Sequence, residues 1–253
     1  IALLLAVCLV LRWMQTRRAL PSTLAWLAAC GVTLLLTQSA TVALSTAGCL
    51  TVVVGLVVQR RVPVHLRLRV VGIFTGTGVI AAIIAFFARH WIADAFGRSP
   101  DMSGRSIIWH SVAPLIAERP LGGWGWFIGW PTWLEPFAGL VVRQDGTSTN
   151  QAHNAYVEAA LTTGCVGAFL ATAAIIWTLF RVIKVAVAHI DDNLWDVIPA
   201  VLMIAMFIQS FTESRLLFEG NWMLFVIIAT WVKVRGEVPI VWPSAARQYL
   251  EYS

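Results

Sequence analysis

Three segments bring together residue types that can do chemistry. Gly104-Arg105-Ser106-Ile107-Ile108-Trp109 sets a guanidinium at the start of a stretch where Ile108, Val112, Leu115 and Ile116 recur at helical spacing. Ser103 is the expected cap of this helix and Pro120 its stop, with Pro114 kinking the middle. Unpaired N–H groups and the positive helix end beside Arg105 suit a phosphate or diphosphate; the same arginine also fits an ordinary helix surface. Further on, Asn150-Gln151-Ala152-His153-Asn154-Ala155-Tyr156 leads into an apolar run. With Asn150 as cap, His153 falls in the first turn, where the positive helix end favours a neutral imidazole able to accept a proton. A structural histidine is the alternative.

Between these two lies Arg119-Pro120-Leu121-Gly122-Gly123-Trp124-Gly125-Trp126, followed by Trp130-Pro131-Thr132-Trp133. With no Gly-Lys-Ser/Thr ending, this is not a nucleotide-phosphate loop. Trp109, Trp124, Trp126, Trp130 and Trp133 supply either an aromatic floor for sugar rings or an aromatic belt beside a bilayer.

The elements that must position these residues are read from composition. Hydrophobic residues make up 58% of the 253 and charged residues 12%, which excludes an ordinary soluble domain and a disordered tail. Residues 19 to 59 contain no Asp, Glu, Lys or Arg and are long enough for two membrane spans turning at Thr37-Gln38-Ser39. Further charge-free runs cover 70–88, 159–180, 197–212 and 220–232, and residues 1–11 resemble the end of one more span. The last two runs form a hairpin around Glu213-Ser214-Arg215, where Glu213 and Arg215 are expected to pair locally; the alternative is that they reach the site. The expected organisation is transmembrane helices over 1–88, an outer loop over 89–154, transmembrane helices over 155–233 and a cytoplasmic tail over 234–253.

The net charge of +5 is distributed by side. Arg12, Arg17 and Arg18, then Arg60, Arg61, Arg67 and Arg69, then Arg181 and Lys184, then Lys233 and Arg235 all fall on one face of the predicted topology. That face is cytoplasmic by the positive-inside rule, so the basic charge serves orientation and bilayer contact, not nucleic acid. Cys8, Cys30, Cys49 and Cys165 lie in or beside apolar runs without metal-site spacing and read as free thiols. The chain opens at Ile1 within an apolar run and reads as part of a larger protein.

His153-Asn154, nine residues, then Gly164-Cys165-Val166-Gly167 resembles the His-Asn…Gly-x-x-Gly signature of the O-antigen ligase and O-antigen polymerase superfamily. The Gly104-Arg105-x-x-x-Trp109 and Pro120-Leu121-x-Gly123-x-Gly125 elements resemble two further motifs of that superfamily, in the same order. The resemblance covers about residues 20–232 and departs at Ser39-Ala40-Thr41, where many relatives carry Ser followed by Arg or Lys.

The resemblance implies an all-α, polytopic, GT-C-like helical bundle in the plasma (inner) membrane, its long outer loop carrying a short interfacial helix. It implies transfer of a glycan from a polyprenyl diphosphate carrier to a hydroxyl of a glycan, lipid or protein acceptor on the extracytoplasmic face. Neither a cofactor nor a metal is expected. Carried over by position, Arg105 takes the diphosphate and His153 acts as base, with Arg143 a second arginine; Asn154, Trp109, Trp124 and Arg215 are candidate substrate contacts. A single displacement would invert the anomeric carbon. One rival is a metal-dependent transferase using a polyprenyl monophosphate donor, but the only adjacent acidic pair, Asp191-Asp192, falls on the cytoplasmic side. The other is a glycan transporter or flippase without catalytic activity, which would place charges along the spans.

Overall fold

The computed structural model describes residues 2–16, 21–37, 40–87, 105–127, 129–142, 146, 148–191 and 193–237. Within them the regular structure is helical: α1 (Ala2–Thr16), α2 (Pro21–Leu36), α3 (Ala40–Gln59), α4 (Val64–Phe87), α5 (Arg105–Glu118), α6 (Ala155–His189), α7 (Val197–Ser210) and α8 (Glu219–Glu237). Short 3₁₀ turns at Leu194–Asp196 and Ser214–Leu217 lead into α7 and α8. The one extended pairing among the described residues is an isolated bridge between Val142 and Ser148.

The main core is built around α7. Val197, Ala200, Val201, Met203 and Ile204 pack against Cys49, Val53 and Leu56 of α3, Ile175, Val182 and Ala186 of α6, and Phe225, Ile228 and Val232 of α8. Val7 and Leu11 bring α1 to the same cluster. The α3–α7 approach is close: a Cβ on Gly48 would meet the Ile208 Cδ1, and the Cys49 thiol points at the Val201 carbonyl at 3.5 Å.

Large apolar side chains remain uncovered on the outer helix faces. Leu36, Ile73 and Phe87 are among them, and so are Phe169, Leu170 and Trp177 on α6. In water each such side chain forfeits about 1.5–3 kcal/mol of burial. Among the described residues α6 is long and apolar enough to cross a membrane, whereas the apolar stretches of α1, α2, α3 and α7 are shorter. The 14 residues of α7 rise about 21 Å, short of the about 30 Å hydrocarbon layer, because their charge-free run ends in the turn at Phe211.

The 35 residues of α6 separate two polar ends. At its C-terminal end, buried Arg67 donates to Asp191 at 2.7 Å and to the Val62 carbonyl, Arg60 approaches the same carboxylate at 3.9 Å, and Arg235 binds Asp196 at 3.0 Å. Asp191, half of the acidic pair considered as a cation site, is thus engaged by arginines far from the outer loop; Asp192 lies outside the described residues. At the N-terminal end stand His153, Arg105 and Glu213.

A second, smaller core lies between the segment before α6 and the first turns of α6. Ile108 and Val112 of α5 are buried against Trp130, Phe137, Val141, Ala152 and Leu161. The apolar stripe of the expected interfacial helix thus packs on protein, through Ile108 and Val112. The helix continues through Pro114 and ends before Pro120, at Glu118. Ser103 lies outside the described residues.

Candidate functional site

The site is assembled where the loop plugs a break in α6. Gly164 has φ 67° and ψ −178°, a conformation that only glycine adopts readily, and helical bonding is interrupted there. In a continuous helix Cys165 and Val166 would donate to the carbonyls of Leu161 and Thr162. Instead the N–H groups of Trp124 and Gly125 donate to these carbonyls at 2.9 Å, and the Cys165 N–H turns to the Pro120 carbonyl at 2.7 Å. Backbone lies directly on backbone. A Cβ on Gly164 would meet the Leu121 carbonyl, and one on Gly123, at φ 66°, would come within 2.6 Å of Thr162 and Gly164 backbone atoms. The Pro-Leu-Gly-Gly and Gly-x-x-Gly elements are therefore the two halves of one interlock.

The short N-terminal half of α6 carries the polar centre. Asn154, not Asn150, is the cap: its Oδ1 accepts the N–H groups of Tyr156 at 2.9 Å and Val157 at 3.1 Å. His153 accordingly precedes the helix instead of sitting in its first turn, a correction that follows from its left-handed φ of 49°. That φ is imposed from both sides. The buried Glu158 carboxylate accepts the Ala152 N–H at 2.6 Å, the Trp130 indole N–H at 2.9 Å and the Ser214 hydroxyl at 3.3 Å. Ser214 Oγ in turn accepts the Asn154 N–H at 3.3 Å, and Asn154 Nδ2 donates to the Phe211 carbonyl at 3.2 Å. Residues 152 and 154 are thus clamped around His153, and Asn154 uses its side chain to hold the turn at 211–214.

The clamp brings Glu213 to the imidazole. His153 Nδ1 lies 3.3 Å from Glu213 Oε2, and Arg105 approaches Oε1 of the same carboxylate at 3.5 Å. This corrects the expected Glu213–Arg215 pair: the extended backbone of Glu213 turns its side chain towards the loop, while Arg215 stands in the 3₁₀ turn that follows. A carboxylate facing Nδ1 can only accept, so Nδ1 is the ring nitrogen that donates to it. Arg105 is the first residue of α5, and the buried Ile108 and Val112 one and two turns on set its direction.

The five tryptophans divide. Trp130 is buried; the indole N–H of Trp109 donates to the Ala152 carbonyl at 2.9 Å and that of Trp124 to Leu115 at 2.8 Å, so these groups hold the loop together. Arg119 covers the Trp124 ring with its guanidinium 3.9 Å from the centroid. Trp126 and Trp133 are exposed, and Trp126 leans on Phe218 with centroids 6.0 Å apart. Arg143 lies outside the described residues. Arg215 is exposed and makes no ion pair among the described residues; it lines an open cavity of about 490 Å³ with Gly129, Asn150, Gln151, Phe218 and Asn221.

Glu158 escaped the sequence reading, although a lone carboxylate at the head of a long charge-free run was the available signal. The Tyr156 hydroxyl, which accepts from Ser210 Oγ at 2.9 Å, had no such signal, since its partner lies 54 residues away. Among the described residues no group of three His, Cys, Asp or Glu side chains is placed to hold a metal ion.

Comparison with known proteins matches the sequence of this chain to a family. The family described as O-antigen ligase matches residues 23–172, a stretch holding Arg105, the Pro-Leu-Gly-Gly turn, His153, Asn154 and Gly164; Glu213 and Arg215 lie beyond it. The exopolysaccharide production protein ExoQ of Rhizobium meliloti (strain 1021) is 26% identical over 231 residues, covering 83% of this chain and 50% of that protein. The chain therefore spans about half the length of the curated relative it matches. No solved structure matches it. With the α5 segment, interlock and His-Asn turn all inside the matched stretch, the chain belongs to the O-antigen ligase family.

Proposed function

We propose that the protein transfers a glycan from a polyprenyl diphosphate carrier to an acceptor hydroxyl at the extracytoplasmic face of the plasma membrane, as a multi-pass glycan ligase or polymerase. The observation that carries this reading is the Arg105–Glu213–His153 array at the end of α6 opposite the arginine-rich end. In this mechanism the acceptor hydroxyl gives its proton to His153 Nε2 as its oxygen attacks the anomeric carbon. The bond from that carbon to the diphosphate oxygen breaks, and the leaving diphosphate keeps the electron pair. Attack from the opposite face inverts the configuration.

Each residue has a task in that step. Glu213 holds the Nδ1 proton and stabilises the imidazolium that forms, and a base so oriented is worth about 10²- to 10⁴-fold. Arg105, with donors to spare beyond its contact with Glu213, neutralises charge growing on the diphosphate; Arg143 is a second candidate for that role. No step needs a metal, because diphosphate is already a good leaving group and the basic side chains meet its charge. Asn154, Trp109 and Trp124 act by holding the turn and the loop around the reacting groups.

The test is release of free polyprenyl diphosphate from a lipid-linked glycan in proteoliposomes of the full-length protein with chelator present, for wild type and His153→Ala. Release by wild type alone is expected. Release that needs a divalent cation would restore the metal-dependent rival, and movement of intact donor without diphosphate release would make the protein a flippase.

A further inference from the structure

The cavity beside the reacting array carries a guanidinium that the transfer step does not use. Its walls are the near neighbours of the two site residues: Asn150 and Gln151 precede His153, and Arg215 and Phe218 follow Glu213. Trp130 N–H donates to the Asn150 carbonyl at 2.8 Å, which anchors this wall to the same small core that sets Arg105. The cavity walls therefore adjoin His153 and Glu213 in the chain, although neither residue lines the cavity itself.

The chemistry of the lining points to a sugar. Asn150, Gln151 and Asn221 present amides, which both donate and accept and so match hydroxyl groups that do both. Phe218, leaning on Trp126, offers an aromatic surface for the C–H face of a pyranose. About 490 Å³ is within the range of small-ligand sites. Against these neutral groups stands one charge among the described lining residues. Glu213 is turned away onto Arg105 and His153, so Arg215 makes no ion pair among the described residues, and its planar fork matches a carboxylate in two parallel hydrogen bonds.

We propose that this cavity is the subsite for the acceptor's terminal sugar region and that Arg215 makes it select an acceptor carrying a carboxylate, such as a uronic acid or an acidic substituent. The proposal rests on the glycan-transfer reading and deepens it. The acceptor, and not the donor, is assigned here because the base must face the acceptor hydroxyl, and the cavity walls adjoin the base in the chain. A diphosphate would leave three amides without the hydroxyls they suit.

The experiment compares two probes: a tetrasaccharide containing glucuronic acid and its carboxyl-reduced counterpart, identical but neutral. Binding of each to the full-length protein in nanodiscs is measured for wild type and Arg215→Gln, and diphosphate release is followed in the same preparations. Wild type should bind the acidic probe about tenfold more tightly, the size expected of a charge-assisted bidentate contact. Arg215→Gln should reduce the acidic probe to the affinity of the neutral one while leaving the neutral affinity in place, which also shows the variant is folded. Equal binding of both probes by wild type, a preference that survives Arg215→Gln, or loss of both probes in the variant would overturn the proposal. So would displacement of the acidic probe by inorganic diphosphate in wild type but not in the variant, since Arg215 would then be a diphosphate ligand. Diphosphate release without charge preference would sink this inference alone; absence of release from wild type would remove the transfer reading beneath it.

Discussion

Glu213 and His153 are 60 residues apart in the chain and 3.3 Å apart in space, joined through Oε2 and Nδ1. The other oxygen of Glu213 faces Arg105, so one carboxylate orients both residues assigned to the reaction. Glu213→Ala should lower kcat for diphosphate release by about 10²-fold, because the imidazole loses its orienting acceptor and its counter-charge. Glu213→Gln, whose amide oxygen still accepts the Nδ1 proton but carries no charge, should fall between the two. Unchanged kcat in Glu213→Ala, at saturating donor, would remove Glu213 from the mechanism.

The interlock predicts severe steric sensitivity at two glycines. Gly164→Ala places a methyl group against the Leu121 carbonyl at a backbone conformation closed to alanine, and Gly123→Ala, at φ 66°, sets one against Thr162 and the Gly164 N–H from the other side. Each should cost at least about 2 kcal/mol and lower the unfolding midpoint in detergent. Gly122→Ala, whose Cβ would meet nothing within 4 Å, should cost far less and serves as the control.

Glu158 has no assigned part in the chemistry and a large one in the architecture. Glu158→Ala strands the Trp130 indole, the Ala152 N–H and the Ser214 hydroxyl, so stability should fall by about 3 kcal/mol. Ser214→Ala removes one of those three donors and also leaves the Asn154 N–H without its acceptor, with a loss nearer about 1 kcal/mol. Thermal unfolding followed by tryptophan fluorescence would report both, since Trp130 sits on the carboxylate itself.

At the far end of α6 the expectation is stability without catalysis. Asp191→Asn leaves buried Arg67 with the Val62 carbonyl in place of a carboxylate partner, which should cost about 1–2 kcal/mol given that Asp191 is partly exposed. Diphosphate release per folded molecule should match wild type, with or without chelator. A lower kcat at equal folded fraction would mean that Asp191 acts on the reaction from the opposite end of α6.

What could be read in the chain alone was whatever depends on local pattern. The separation of α2 from α3 falls at the polar Thr37-Gln38-Ser39, of which Gln38 and Ser39 lie outside the described residues, and the all-helical class follows from uninterrupted apolar stretches. The Arg105, Pro-Leu-Gly-Gly and His153-Asn154 elements were legible because their residue types and order are themselves the signal. Tertiary structure alone decided their partners. Asn154 displaced Asn150 as the cap because Glu158, Ser214 and Phe211 tie down the residues around it. Glu213 left Arg215 for His153 because backbone direction, not sequence proximity, aims a side chain. The apolar stripe of α5 packs on protein because Trp130 and Phe137 offered a core that periodicity cannot distinguish from lipid. In each case the deciding contact joins segments distant in the chain, and local propensity carries no information about which distant group will arrive.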